Sequence, residues 1–381
     1  MKIKGFKITF WRVVAAIILV AGAVATYQRF FYGLGAATNL SDKFPWGLWV
    51  GFDVISGVGL AAGGFTITAI VYIFNLKKYH CIVKPTVLTA FLGYTFVGIA
   101  LLWDLGKYFD IWHPLVFGNH HSPMFELAIC VATYTAVLAL EFSSFALGKF
   151  KWFRKPVNFL RGIYIVLVIL GVLISTLHQS SLGTLFVIVP EKLHPLWYTK
   201  LLPVYFFITA VGAGLGMTIV ESYLSWRALG HEAPLDVLVN LARGMVVIQL
   251  TYFVAYFEGL IVSHKLHYLF DGSFYSFMWW LETIVWTIIP AVVVFNKKWI
   301  STRVGVFVAG FSYVLGFLLN RLNVSMTAME YSLKANYIPS WQEIAVSASF
   351  VVVIFIIFGF AVKYFDIFEE EHPYEEQIET A

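Results

Sequence analysis

Seven carboxylates interrupt the long apolar runs of this chain: Asp53, Asp104, Glu126, Glu141, Glu221, Glu258 and Glu282. A charge at membrane depth is costly, so such groups line a protein interior, pair with another charge, or carry protons and ions. Asp53 stands about two turns, or about 10 Å at 1.5 Å per residue, below the start of its run, with Gly47, Gly51, Gly57 and Gly59 around it. It reads as a proton donor to a ligand entering from that end; the alternative is a carboxylate satisfied by a neighbouring helix. His178 opens the polar cluster His178-Gln179-Ser180-Ser181, expected where a helix meets the same surface. An imidazole is the side chain suited to proton exchange near neutral pH, and its polar neighbours suit the orientation of a carbonyl group. The alternative is an interfacial cap. Asp104 and Glu126 fall at that depth too, so Asp53, His178, Asp104 and Glu126 form the candidate catalytic set, with Trp46, Trp49 and Gln179 as candidate ligand contacts. Glu141 and Glu221 lie nearer the opposite surface. With Glu258 and Glu282 they are candidates for a proton path, the alternative being ion pairs with the Lys149–Lys155 loop or Arg227. Arg321 is expected to neutralise Glu258 or Glu282 beside that path.

Helices must hold these groups. The chain has 381 residues, 60% hydrophobic and 13% charged, with a mean hydropathy of +0.79. Soluble proteins are about 45–50% apolar and about 25% charged, so this composition excludes an ordinary water-soluble domain, a disordered chain and a nucleic-acid binder. Lipid offers backbone groups no partner, so each long apolar run is a helix. The fold class is therefore all-α: a polytopic membrane protein with helices expected at 12–33, 46–74, 86–106, 123–147, 158–178, 199–224, 238–262, 274–296, 301–321 and 341–365. Four regions follow. Residues 1–45 are an N-terminal helix and outer loop, 46–198 and 199–340 are two four-helix bundles, and 341–381 are a last helix with an acidic cytoplasmic tail. Helices two to five and six to nine read as a weak parallel repeat, each set opening with a glycine-rich helix.

Lys and Arg concentrate in cytoplasmic loops. Placing both termini in the cytoplasm puts the larger share of the 26 Lys and Arg there, the densest loop carrying Lys149, Lys151, Arg154, Lys155 and Arg161. The run Glu369-Glu370-Glu371 with Glu375-Glu376 reads as a solvated end. Lys2, Lys4, Lys7 and Arg12 precede a stretch ending Ala23-Val24-Ala25 that resembles a signal-peptide cleavage site; the apolar run continues to Phe31, which favours an uncleaved helix. Cys81 and Cys130 fall on opposite sides of the membrane, so no disulfide is expected, and two thiols cannot supply the four ligands of an iron–sulfur cluster. Of ten histidines only His178 approaches the membrane interior, so no bis-histidine haem is expected. His113, His120 and His121 match no specific metal motif.

The segment Phe44-Pro45-Trp46-Gly47-Leu48-Trp49-Val50-Gly51-Phe52-Asp53 resembles the second helix of the NrfD/polysulfide-reductase C family, in the form found in membrane subunits of nickel–iron hydrogenases. Matches continue in order through Trp103-Asp104-Leu105-Gly106-Lys107-Tyr108, Phe125-Glu126, Ala139-Leu140-Glu141-Phe142, His178-Gln179-Ser180-Ser181, His194-Pro195-Leu196-Trp197, Phe274-Tyr275-Ser276, Glu282, Arg321-Leu322 and Pro339-Ser340-Trp341-Gln342-Glu343. The stretch around Glu258 aligns only with a one-residue offset. The resemblance implies ten helices, as two four-helix bundles plus flanking helices, in the inner membrane of a bacterium or archaeon, with no redox cofactor of their own. It implies a menaquinone or ubiquinone bound near the outer face, and possession of a docked periplasmic ferredoxin-like iron–sulfur subunit that connects to nickel–iron large and small subunits. Quinone chemistry moves two electrons and two protons, which suits buried acids and a histidine. The competing expectations are a secondary transporter, which glycine-rich repeats and buried acids also permit, a passive anchor, and a subunit serving sulfur, nitrite or formate chemistry.

Overall fold

The computed structural model describes residues 9–148, 150–189, 192–334, 336–365 and 367–368. Lys2, Lys4, Lys7, Lys149 and the acidic run from Glu369 lie outside the described residues. Ten helices are long and apolar enough to cross a membrane, and no strand occurs among the described residues. The protein is a multi-pass, all-α membrane protein.

We number these spans α1 (Phe10–Tyr32), α2 (Trp49–Ile73), α3 (Lys77–Asp104), α4 (Pro123–Ala146), α5 (Tyr164–Val187), α6 (Leu202–Leu229), α7 (Leu235–Val262), α8 (Phe274–Phe295), α9 (Arg303–Leu333) and α10 (Trp341–Tyr364). Their starts follow local chemistry. Proline occupies the first turn of α4 and α6, where its missing N–H costs no hydrogen bond. Ser340 and Glu343 form a reciprocal capping box on α10. Gly230 closes α6 with a left-handed φ of 79°.

Two expected boundaries are corrected. His178 does not end its helix, because α5 starts at Tyr164 and runs on to Val187. Arg321 likewise is not terminal: α9 continues to Leu333 through a widened π-helical turn at Asn323–Thr327. Both polar clusters mimic helix ends in sequence, yet packed neighbours shield them, so the apolar environment need not stop there. The segment expected to open helix five is instead a separate short helix, Arg154–Gly162.

Neighbouring spans pack in sequence: α2 on α3, α3 on α4, α4 on α5, and α5 on α6. Further on, α6 packs against α7 and α9, α8 lies on α9, and α1 runs along α10. The two glycine-rich helices meet directly. A Cβ on Gly214 of α6 would lie 2.5 Å from Gly63 N of α2, so here backbone touches backbone. Small residues permit that approach, and the contact gains dispersion where no hydrophobic drive exists in lipid. We call the membrane face where α2 begins the Asp53 end, and the other the Lys151 end.

Candidate functional site

Asp53 sits in a π-helical turn, Trp49–Ser56, where the widened backbone leaves it half-buried. Such turns recur at functional sites. Its Oδ2 accepts a hydrogen bond from Ser347 Oγ of α10 at 2.6 Å. Around Ser347, Val346 and Phe350 of α10 pack with Trp49 and Trp103. Asp53 therefore faces the seam between α2, α3 and α10. Asp104 ends α3 at the same face and is half-buried. Buried Arg29 of α1 holds the carbonyls on either side of it, donating from Nε to Trp103 O and from Nη2 to Leu105 O, each at 2.5 Å. Trp49 is buried and its indole donates to Glu343 O at 3.2 Å, whereas Trp46 packs edge-on against Phe186.

A latch from α10 fixes the entry to α2. Glu343 accepts from Ser340 N at 2.8 Å, from Asn39 N at 3.1 Å and from the Tyr337 hydroxyl. That hydroxyl also accepts from Leu48 N at 2.9 Å, and the Tyr337 ring stacks on Phe44 at 4.8 Å.

His178 occupies a different setting. It is 1% exposed, inside α5, with its ring 5.7 Å from that of Tyr94. Tyr94 meets Tyr134 edge-on at 4.5 Å. Gln179 Nε2 donates to Val58 O at 3.1 Å. Both His178 nitrogens, Gln179 Oε1, Ser175 Oγ and the Tyr94 and Tyr134 hydroxyls have no hydrogen-bond partner among the described residues. Buried polar groups are normally paired, so this cluster suits water or a polar guest. Among the described residues no hydrogen bond joins it to Asp53.

The second half builds a more fully paired network around Glu282. Glu282 accepts from Trp197 Nε1 at 3.0 Å, Asn320 Nδ2 at 2.8 Å and Asn323 Nδ2 at 2.8 Å. Arg321 reaches Glu282 only through Asn320, donating from Nη1 to Asn320 Oδ1 at 2.6 Å. Its Nη2 donates to Thr209 Oγ1 at 2.8 Å, and the guanidinium lies 3.7 Å from the Phe206 ring centroid. A small pocket, with room for about one water, lies beside Arg321, lined also by Trp197, Tyr205, Tyr252 and Tyr256.

The remaining expected residues scatter. Glu126 is exposed in the first turn of α4 and accepts from Ser181 Oγ at 2.5 Å. Glu258 is exposed near the end of α7. Glu141 is buried beside Tyr134 and Gly171. Glu221 is buried between α2, α3 and α6, near Gly63, Gly64 and Thr218, and accepts from Thr89 Oγ1 at 3.0 Å. The ion pairs among the described residues are Asp110–His113 and Glu232–Arg303. Glu141 and Glu221 thus take no described basic partner, and Arg321 neutralises neither Glu258 nor Glu282 by direct contact.

The sequence profile described as "Polysulphide reductase, NrfD" matches residues 36–331. The chain belongs to the NrfD family. Among its relatives is a protein of Nitratidesulfovibrio vulgaris, 39% identical over 96% of both chains. The probable Ni/Fe-hydrogenase 2 b-type cytochrome subunit of Escherichia coli (HybB) is 33% identical over 86% of this chain and 84% of its own. The integral membrane subunit of menaquinone reductase from Nitratidesulfovibrio vulgaris is 25% identical over 96% of this chain and 93% of its own.

The name of the Escherichia coli relative raises the question of a b-type haem in this NrfD-family chain. A bis-histidine haem needs two imidazoles on its opposite faces. Among the described residues the buried histidines are His178 and His194. His194 lies in the connection after α5, stacked on Tyr275 at 4.5 Å with Nδ1 accepting from Leu196 N, while His178 packs against Tyr94. They form no facing pair, so these residues do not fit such a haem.

Proposed function

We propose that this chain is the quinone-reactive membrane subunit of a respiratory hydrogenase or a sister oxidoreductase complex. Family membership supports the reading, as do the hydrogenase and menaquinone reductase subunits among the relatives. The observation that carries it is Asp53. A carboxylate at membrane depth, half-buried and held by one serine hydroxyl, keeps an oxygen to offer a ligand that enters from lipid. The headgroup of menaquinone or ubiquinone, as substrate, lies in the seam of α2, α3 and α10. Asp53 exchanges a proton with a ring carbonyl, Asp104 stands beside it, and Trp46 and Trp49 wall the entrance. The His178 and Gln179 cluster, with its unpaired polar atoms, belongs to the polar interior behind this seam. Glu141 and Glu221 are the candidates for a proton path through it.

In this reading both termini are cytoplasmic, in the inner membrane of a bacterium or archaeon. The Asp53 end faces out, where a ferredoxin-like iron–sulfur subunit docks and connects to nickel–iron large and small subunits. Residues 46–198 and 199–340 act as two four-helix bundles, the first of which meets the quinone. Replacing Asp53 with Asn in the assembled complex is expected to abolish hydrogen-dependent quinone reduction and to leave hydrogen uptake with an artificial acceptor intact. Normal quinone reduction by that variant refutes the assignment of Asp53.

A further inference from the structure

We propose that Arg29 of α1 is a positioning residue for quinone reduction, acting through Asp104; the inference rests on the quinone reading of the Asp53 seam. Of the residues of α1 only Gly22, Ala25 and Arg29 are buried, and Arg29 is 2% exposed. A charge at membrane depth is costly, and this guanidinium is compensated by the end of α3. Leu105 turns extended there, with φ −65° and ψ 123°. The last carbonyls of the helix therefore lack amide partners and carry the negative end of its dipole. The Arg29 fork spans two of them, Trp103 O and Leu105 O, at 2.5 Å each. Asp104 lies between these anchors, so the peptide units on both of its sides are fixed.

The same clamp leaves the Asp104 carboxylate available to a ligand. No ion pair joins it to Arg29 among the described residues, and half-buried Asp104 is near enough to Asp53 to act on its charge. Trp103 carries the restraint toward Asp53. Its indole donates to Thr26 Oγ1 of α1 at 3.1 Å, and its ring meets Phe30 of α1 and Phe350 of α10 edge-on, each at 5.1 Å. Phe350 is about one turn beyond Ser347, whose hydroxyl donates to Asp53. Helix α1 is itself seated on α10, where Ser349 Oγ donates to Ile18 O at 3.0 Å. One packed unit of α1, α3 and α10 therefore sets both carboxylates. A lysine at position 29 would reproduce the charge but not the planar fork that reaches two carbonyls at once.

The test is a double-mutant cycle in the assembled complex, read as kcat/KM for hydrogen-dependent reduction of decylubiquinone and menadione. Where a variant shows no turnover, the cycle is read as the Kd of heptyl-hydroxyquinoline N-oxide, a quinone analogue followed by its fluorescence. Arg29→Gln is expected to lower kcat/KM roughly tenfold to a hundredfold, the loss that a misplaced reacting group brings. Arg29→Lys should fall between Gln and the wild type, and hydrogen uptake with an artificial acceptor should stay intact in both. In the Asp104→Asn background, Arg29→Gln should change the readout by less than about twofold, because an effect carried through Asp104 does not add to its loss. Gln28→Ala removes a hydrogen bond from α1 to Gln342 of α10 and none to α3, and keeps the wild-type rate. Additive losses in the cycle, an equal loss in Gln28→Ala, or failure of both Arg29 variants to assemble would make Arg29 a structural anchor alone and overturn the proposal. So would normal quinone reduction by Arg29→Gln or by Asp104→Asn. Asp53→Asn separates the two ideas: if it abolishes quinone reduction, the reading of the seam survives the loss of this proposal, and if it does not, both fall.

Discussion

Glu343 offers the sharpest test of how the Asp53 seam is held. Its carboxylate collects Ser340 N, Asn39 N and the Tyr337 hydroxyl, and Tyr337 in turn holds Leu48 N at the entry to α2. Hydrogen bonds to a charged group contribute about 1.5–3 kcal/mol each. The three share one carboxylate, so their contributions do not add, and Glu343→Ala is expected to cost about 3–5 kcal/mol by stranding three donors. Glu343→Gln keeps an acceptor but turns an amide N–H toward at least one donor, for a loss of about 1–3 kcal/mol. Unfolding of a large membrane protein is best read as a rate. At about 1.4 kcal/mol per factor of ten, the alanine variant should unfold at fixed temperature about two to three orders of magnitude faster in detergent, with Gln between it and the wild type. Tryptophan fluorescence follows the rate. Equal rates for all three proteins would show that Phe44 and Trp46 packing alone fixes α2, and the latch reasoning fails.

Two further outcomes follow from packing and burial. Gly214→Ala puts a Cβ 2.5 Å from Gly63 N, with only backbone to yield, so the α2–α6 crossing should lose about 1–3 kcal/mol or more, whereas Gly98→Ala meets nothing within 4 Å and should be near neutral; folded yield after detergent extraction distinguishes them. Burial holds the His194 imidazole down at about 4, while an unfolded chain's histidine protonates near about 6.5. Between those values the unfolded state takes up a proton that the folded state refuses, so stability falls as pH drops through that window and levels off below it. His194→Phe should flatten the slope of unfolding midpoint against pH between about 6.5 and about 4; an unchanged slope refutes the role given to burial.

The spans were legible because the bilayer imposes one rule on every backbone group, and apolar length alone obeys it. Boundaries failed where side chains satisfy each other out of sight. His178 and Arg321 read as helix ends, yet the rings of Tyr94 and of Phe206 cover them within the membrane. Partners distant in sequence were beyond reach: nothing near Asp53 points to Ser347, and nothing near Glu282 names Trp197, Asn320 and Asn323 together. Arg29 had a signal, being a lone cation in an apolar run, and its use on the carbonyls beside Asp104 went unforeseen. The Ser340-x-x-Glu343 spacing carried the capping box openly, but the same carboxylate's grip on Tyr337 and Asn39 required the fold.

The two halves spend their buried polar groups differently, and that difference ranks the candidates for moving protons. Glu282 gives both oxygens to three fixed donors, so it must release one before it exchanges anything. A carboxylate so committed is a keystone, joining the loop at Trp197 to α8 and α9. Glu141 accepts no side-chain hydrogen bond among the described residues, and it neighbours Tyr134, whose hydroxyl is unpaired. Ser175, Tyr94 and both nitrogens of His178 continue the same open cluster toward the Asp53 end. Water needs polar partners with unused capacity, and the first half supplies them in series while the second half has largely used its own. We therefore propose that a proton exchanged at Asp53 passes along the unpaired groups of α5 rather than through the second half, where Glu282 is held by three donors.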